Sequence, residues 1–248
     1  MLITPIKTEK ILPKQIPLLK LLDTSVKQFK ERSILVITSK IVALCEGRIV
    51  SLDEDKDKLI EQEATYYLPK KFRRFGASGT ITHSAFIGAA GIDESNTSGH
   101  YLLLPKDSQK TASEVYRYLK KRFGVDEAGV IIVDSHSTPL RRGASGIALA
   151  YRGFVGLKDY RGQQDLFGRT FLMEQANIAD PLASVSALAM GEGAEQTPLV
   201  VIEDIAGMTF HKNAPTKKEL SAFFVDLKDD IFAPLFNLKR LKKGRGKR

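Results

Sequence analysis

The stretch VIIVDSHSTPLRRGASGIALA, residues 130–150, constrains the chain more than any other. It opens with an apolar, β-branched run ending on a carboxylate, which is how a buried strand delivers an acidic side chain to a site at its carboxyl end. Asp134 is therefore the leading candidate functional residue. Behind it Ser135, His136, Ser137 and Thr138 offer hydroxyl and imidazole groups, and Pro139 leads into Arg141, Arg142, Gly143, Ser145 and Gly146. A carboxylate beside a hydroxyl, followed by cations and by glycines that let backbone N–H groups approach an anion, suits a metal-bound phosphate. A strand end capped by an Asx-turn is the competing, structural reading.

A chain of 248 residues with 43% hydrophobic residues can bury a substantial core. MLITPIKTEK carries charges where a signal peptide needs an unbroken apolar core, and no apolar run approaches the roughly 18 residues that span a bilayer. A soluble protein of the cytoplasm, without a membrane partner, is the expectation. The single cysteine, Cys45, excludes an intrachain disulfide and a cysteine-cluster zinc site. Seven of the nine net positive charges sit in Lys239, Arg240, Lys242, Lys243, Arg245, Lys247 and Arg248, so the rest of the chain carries only +2. Residues 238–248 thus read as a basic, solvated and disordered tail capable of weak, non-specific nucleic-acid contact.

No tandem repeat, flexible linker or composition break precedes residue 238, so residues 1–237 are expected to form one domain. Helices are expected over PLLKLLDTSVKQFK, from an N-cap at Ser108 to Gly124, from Asp180 through Met190, and over TKKELSAFFVDLKDDIF. Strands are expected at the start of SILVITSKIVAL, with Lys40 at the strand end or the start of a helix, and in IVSL, both ends of residues 79–104, the run before Asp134, and TPLVVIED. Strands interspersed with helices argue for an α/β or α+β fold. LPKKFRRF (68–75) interleaves cations with Phe72 and Phe75, a pattern that fits either nucleic-acid binding or anchoring to the core.

Asp93, Asp134 and Glu192 each lie beside glycine or small residues at an expected element end. Magnesium and manganese take oxygen ligands of this sort, usually with a substrate phosphate completing the shell. Four histidines without a metal-binding pair make a zinc hydrolase a poor fit, and the familiar Gly-rich nucleotide and GxSxG nucleophile motifs are absent. Asp134 and the cation Arg142 are the candidate catalytic residues. The residues alone support a metal-assisted phosphate enzyme.

The phrases TSKIVALCEGR, AAGIDESN, DSHSTPLRRGASGIALA, DYRGQQDLFGR and ALAMGEG, in this order and spacing, resemble the coenzyme F-420 gamma-glutamyl ligase family over roughly residues 5–205. The resemblance implies an α+β fold of mixed sheets with flanking helices, associated as an intertwined homodimer. It also implies a ligase that uses GTP (or ATP) with magnesium or manganese to activate a carboxylate as an acyl phosphate, which the amine of L-glutamate attacks to give a gamma-linked amide. Carried over by position, Asp93 and Asp134 become metal ligands, Ser135 stands for a metal-binding threonine, and Glu192 replaces a glutamine while keeping an oxygen ligand. Ser39, Lys40 and Asn96 match nucleotide-binding positions, as do Leu12 and Pro13.

The departures concern the organic ligand. Where the family reads D-T-x-G-R-P, residues 134–139 lack the glycine and arginine. Leu44 replaces a usual lysine, and Ala89 or Ala90 an asparagine. Loss of two cationic groups should weaken contacts to a phosphorylated ligand by roughly a few kcal/mol if both are buried. Glutamate ligation with an altered acceptor follows as an expectation, the acceptor being the deazaflavin precursor or folate, which carries gamma-linked glutamates on a pterin scaffold. The alternative is a non-catalytic nucleotide- or RNA-binding protein on the same fold. His136 fits either a base for the incoming amine or a structural histidine.

Overall fold

The computed structural model describes residues 1–74, 78–236 and 239–246. Phe75 and residues 238, 247 and 248 of the expected tail lie outside them. In chain order the first half comprises β1 (Leu2–Ile6), α1 (Leu18–Ser25), β2 (Ser33–Thr38), α2 (Ser39–Glu46), β3 (Ile49–Ser51), α3 (Lys56–Glu63), β4 (Tyr66–Tyr67), β5 (Gly79–Thr82), β6 (Ala85–Gly88), β7 (His100–Leu102) and α4 (Ser108–Phe123). The second half adds β8 (Ala128–Ser137), β9 (Ala144–Arg152), β10 (Leu157–Asp159), β11 (Gln175–Asn177), α5 (Ala179–Met190), β12 (Leu199–Glu203), α6 (Lys217–Phe223) and β13 (Lys242–Lys243). The arrangement is α+β with several mixed or antiparallel sheets.

The principal sheet runs β1-β12-β2-β8-β9, with β2 and β8 parallel and the other pairs antiparallel. Side chains alternate across a strand, so Leu35, Ile37, Val130 and Ile132 pack on one face with Leu22, Val42, Val115 and Leu119 of α1, α2 and α4. Ile34, Val36, Ile131 and Val133 pack on the other face with Leu182, Ala183 and Ala187 of α5. Both faces are covered, which is why β2 and the start of β8 read as unbroken apolar runs.

A second sheet runs β13-β4-β5-β6. The two sheets meet at a β-bulge: Ile132 pairs with Ala150 but Val133 with Ala148, leaving Leu149 as the extra residue. Leu149 packs with Ile87 of β6 and with Leu104.

Several expectations differ from the structure for local reasons. The strand carrying Asp134 does not end there. It continues to Ser137, paired with Ala144 of β9 in a projecting ribbon. The cap of α4 is Asp107, whose carboxylate accepts the Lys110 N–H at 2.8 Å, not Ser108. Asp180 lies inside the first turn of α5 and accepts the Ala148 N–H at 2.9 Å, tying helix to sheet. The last helix stops at Phe223, whose ring turns onto Tyr151 at 5.1 Å. The basic tail reads as disordered from its charge, yet its described part adds β13 to β4. Its backbone N–H groups also find acceptors, with Gly244 donating to Thr65 O (2.9 Å), Arg245 to Glu61 O (2.9 Å) and Gly246 to Ala64 O (3.0 Å).

Candidate functional site

The parallel pairing of β2 with β8 ends at Thr38 opposite Val133, so the next residues, Ser39 and Asp134, emerge side by side where that pairing stops. Ser39 opens α2 and its hydroxyl donates to Asp134 Oδ1 at 2.6 Å. Sequence thus fixes the pair twice, by register and by the immediate strand-to-helix turn. Open α/β sheets place ligands at this end.

Three further segments close around it. The loop after β6 brings Asp93, whose Oδ2 meets Lys40 Nζ at 2.6 Å while its Oδ1 accepts the Ser95 N–H at 2.7 Å. The turn after α5 brings Glu192, which accepts the Ser135 hydroxyl at 2.7 Å, and Gly193, whose carbonyl accepts Asn96 Nδ2 at 2.9 Å. Residues 8–11 complete the wall, held by the Thr8 N–H donating to Gln196 O at 2.9 Å. The cavity measures about 680 Å³, large enough for a nucleotide-sized ligand.

The two carboxylates differ in their electrostatics. Desolvation pushes the Asp134 carboxyl up to about 6, and the neighbouring Asp93 charge adds to this against the Ser39 hydroxyl, the Ser135 N–H and Lys40. Burial also pushes Asp93 up, but Lys40 and the Ser95 groups outweigh it and hold Asp93 below the usual carboxylate range. Asp134 is therefore an under-compensated negative site, the kind that favours a cation.

Among the described residues no group of three or more His, Cys, Asp or Glu is disposed to hold a metal by itself. Asp93 and Asp134 with the Ser39 and Ser135 hydroxyls and Glu192 nevertheless offer hard oxygen donors on one cavity wall. Magnesium commonly takes one or two carboxylates and leaves the remaining positions to water and substrate phosphate, and this donor set fits that habit.

Ser39, Lys40, Asp93, Asn96, Asp134, Ser135 and Glu192 all line the cavity, as does His136. Leu12, Pro13 and Arg142 do not. Leu12 is 43% exposed and donates its N–H to Gln15, one residue beyond the wall-forming Ile11. Arg142 lies in the exposed link between β8 and β9. Sequence reasoning missed Thr8, Glu9, Lys10, Gln196 and Thr197, whose place depends on long-range pairing of backbone segments. Their only local signal was adjacency to Leu12 and to Glu192.

Ala89 and Ala90, in the asparagine position noted above, both adopt left-handed backbone, with φ of 50° and 56°. Asparagine tolerates that conformation better than alanine.

An α+β fold that gathers carboxylates, hydroxyls, an ammonium and an amide around one cavity, where a parallel strand pair stops, defines a class of protein with a polar, oxygen-rich candidate ligand site. The model of the family described as F420-0:Gamma-glutamyl ligase matches residues 6–204, and the chain belongs to that family. Similar proteins include the coenzyme F420:L-glutamate ligase of Methanococcus maripaludis strain C7, 33% identical over 207 residues covering 77% of this chain and 82% of the relative. That of Methanocaldococcus jannaschii is 32% identical across 70% of this chain and 76% of its own. That of Methanothermobacter thermautotrophicus is 36% identical across 68% and 73% respectively.

Proposed function

We propose that the protein is a nucleotide- and divalent-metal-dependent ligase that joins L-glutamate by an amide bond to a carboxylate of the deazaflavin coenzyme precursor. The observation that carries this reading is the single cavity in which Ser39, Lys40, Asp93, Asn96, Asp134, Ser135 and Glu192 converge. The names of the relatives support the acceptor.

In the first step an acceptor carboxylate oxygen takes the terminal phosphoryl group of GTP or ATP, the bond to the leaving diphosphate breaks, and an acyl phosphate forms. In the second, the α-amine of glutamate attacks the acyl carbon, inorganic phosphate leaves, and the amine proton passes to a base. Asp93, Asp134, Ser135 and Glu192 would hold magnesium or manganese, which supplies charge neutralisation to the phosphoryl group. Lys40 and Asn96 contact nucleotide. Ser39 orients the Asp134 carboxylate through the 2.6 Å bond, and His136, on the cavity wall, is the candidate base for the amine proton.

Leu44, at the position where the family resemblance implies a lysine, lines the cavity. A second reading, in which the acceptor is folate, rests on that exchange together with the glycine and arginine missing from residues 134–139. The exposed apolar residues Leu166, Phe167, Leu172 and Met173, on the arm joining β10 to β11, support a homodimer in which a second copy covers them.

The test incubates the protein with magnesium or manganese, GTP or ATP, L-glutamate, and either the deazaflavin precursor or tetrahydrofolate, read by mass spectrometry. One added glutamyl group on the deazaflavin is expected, and addition to folate alone would transfer the reading to that acceptor. Asp134→Asn is expected to lower the rate about a thousandfold or more and to abolish the metal-plus-nucleotide rise in melting temperature. A retained rate would remove Asp134 from the mechanism.

A further inference from the structure

The fold joins two cationic segments that the sequence keeps more than 160 positions apart. Residues 65–74 and 239–246 together contain Lys70, Lys71, Arg73, Arg74, Lys239, Arg240, Lys242, Lys243 and Arg245, and neither segment contains an Asp or Glu. Strand β13 pairs with β4, Lys242 opposite Tyr67 and Lys243 opposite Tyr66, which lays the tail beside the first cluster. Phe72 stands between the two, with Lys71 Nζ 5.0 Å and the Arg240 guanidinium 5.1 Å from its ring centre. Asp57 engages Lys70 and Arg73 from outside both segments. Lys71, Arg74, Lys239, Arg240, Lys242, Lys243 and Arg245 are exposed.

The docking is built into the sequence of the tail. An added Cβ at Gly244 would stand 2.0 Å from Ala64 O, and one at Gly246 only 1.9 Å from Glu63 O. Glycine at these two positions lets Arg245 and Gly246 donate to carbonyls at the end of α3, where unpaired acceptors and the negative end of the helix dipole both favour basic residues. A tail that served only as solvated charge would need neither glycine.

We propose that this composite surface is a docking site for single-stranded nucleic acid. A row of exposed cations matches a phosphate backbone, and an aromatic ring set among them is the arrangement that contacts bases. An anionic membrane is disfavoured by geometry. The exposed apolar residues nearest in sequence precede Phe236, which stacks on Phe86 of β6 at 5.7 Å, and β6 is the opposite edge of this sheet from β13.

The test measures anisotropy of a fluorescein-labelled oligouridylate with the full chain, beside vesicles containing phosphatidylserine. Binding is expected to weaken about 50-fold from 50 to 200 mM salt if roughly four phosphates are neutralised. Lys242→Gln with Lys243→Gln and Arg245→Gln should weaken it tenfold or more. Gly244→Val with Gly246→Val should weaken it severalfold although no charge changes. Wild-type affinity in the valine variant would mean a loose tail acting alone and would overturn the composite surface. Because the valines also remove bonds at the end of α3, Lys70→Gln with Lys71→Gln and Arg74→Gln tests the opposite half without touching the docking. Unchanged affinity there, no oligouridylate binding at 50 mM salt, or binding to vesicles alone would each sink the proposal.

Discussion

The two main sheets solve the problem of placing charge in opposite ways. In the five-stranded sheet both faces are covered, and Asp134 leaves it into surroundings where desolvation dominates and the carboxyl rises to about 6. Beside the four-stranded sheet, Asp57 meets the Arg73 guanidinium, which holds its carboxyl below the ordinary value, with Lys70 adding to the effect. One carboxylate is left needing a cation and the other already has two. Chemistry belongs with the first, because a site whose charge is answered internally has little left to offer a ligand.

The largest test of the contrast concerns packing. Phe154 is fully buried in the core beside Tyr151, whereas Phe86 on β6 is 39% exposed. Phe154→Ala is expected to lower unfolding free energy by about 3–5 kcal/mol and Phe86→Ala by about 1 or less, measured by urea denaturation. Similar losses would mean that the smaller sheet is as tightly supported as the larger.

A smaller effect is expected at Asp57, whose side chain keeps about a third of its exposure while Arg73 is 9% exposed. Asp57→Asn should cost about 1 kcal/mol at neutral pH, discounted for solvent screening. Since the folded carboxyl is held low, its contribution is present above the ordinary value near 4 and fades as pH falls through the lower folded value. Urea midpoints of the wild type and variant should therefore separate at pH 7 and converge in acid. A gap unchanged by pH would mean that Arg73 acts through packing alone.

The smallest effect belongs to Cys45 in α2. Burial, aided by Glu46, pushes its thiol up to about 11. Alkylation by iodoacetamide at pH 8 should run at least about tenfold slower than for free cysteine, and parity with free cysteine would show that α2 opens readily.

Much of the principal sheet was legible because its signals are local. Unbroken β-branched runs mark β2 and the start of β8, and Asp134 marks where the parallel pairing of these strands stops while Glu192 follows the end of α5. What escaped is decided at a distance. Residues 8–11 join the cavity only because β1 pairs with β12 and Thr8 then reaches Gln196. The ribbon beyond Asp134 depends on β9 returning in register past a bulge at Leu149, which no local propensity announces. The tail reads as disordered from its charge, and only the space beside Ala64 and Glu63 reveals why its glycines matter.

The ribbon also ties the cavity to a patch of surface outside it. From Asp134 to Ser137, β8 has lost its parallel partner β2 and is paired by β9 alone, and its tip carries Leu140 almost wholly exposed. One continuous two-stranded arm therefore joins exposed Leu140 to Ser135 and, through a 2.7 Å bond, to the Glu192 turn. The same few residues thus belong both to the cavity wall and to an arm whose far end lies outside the cavity.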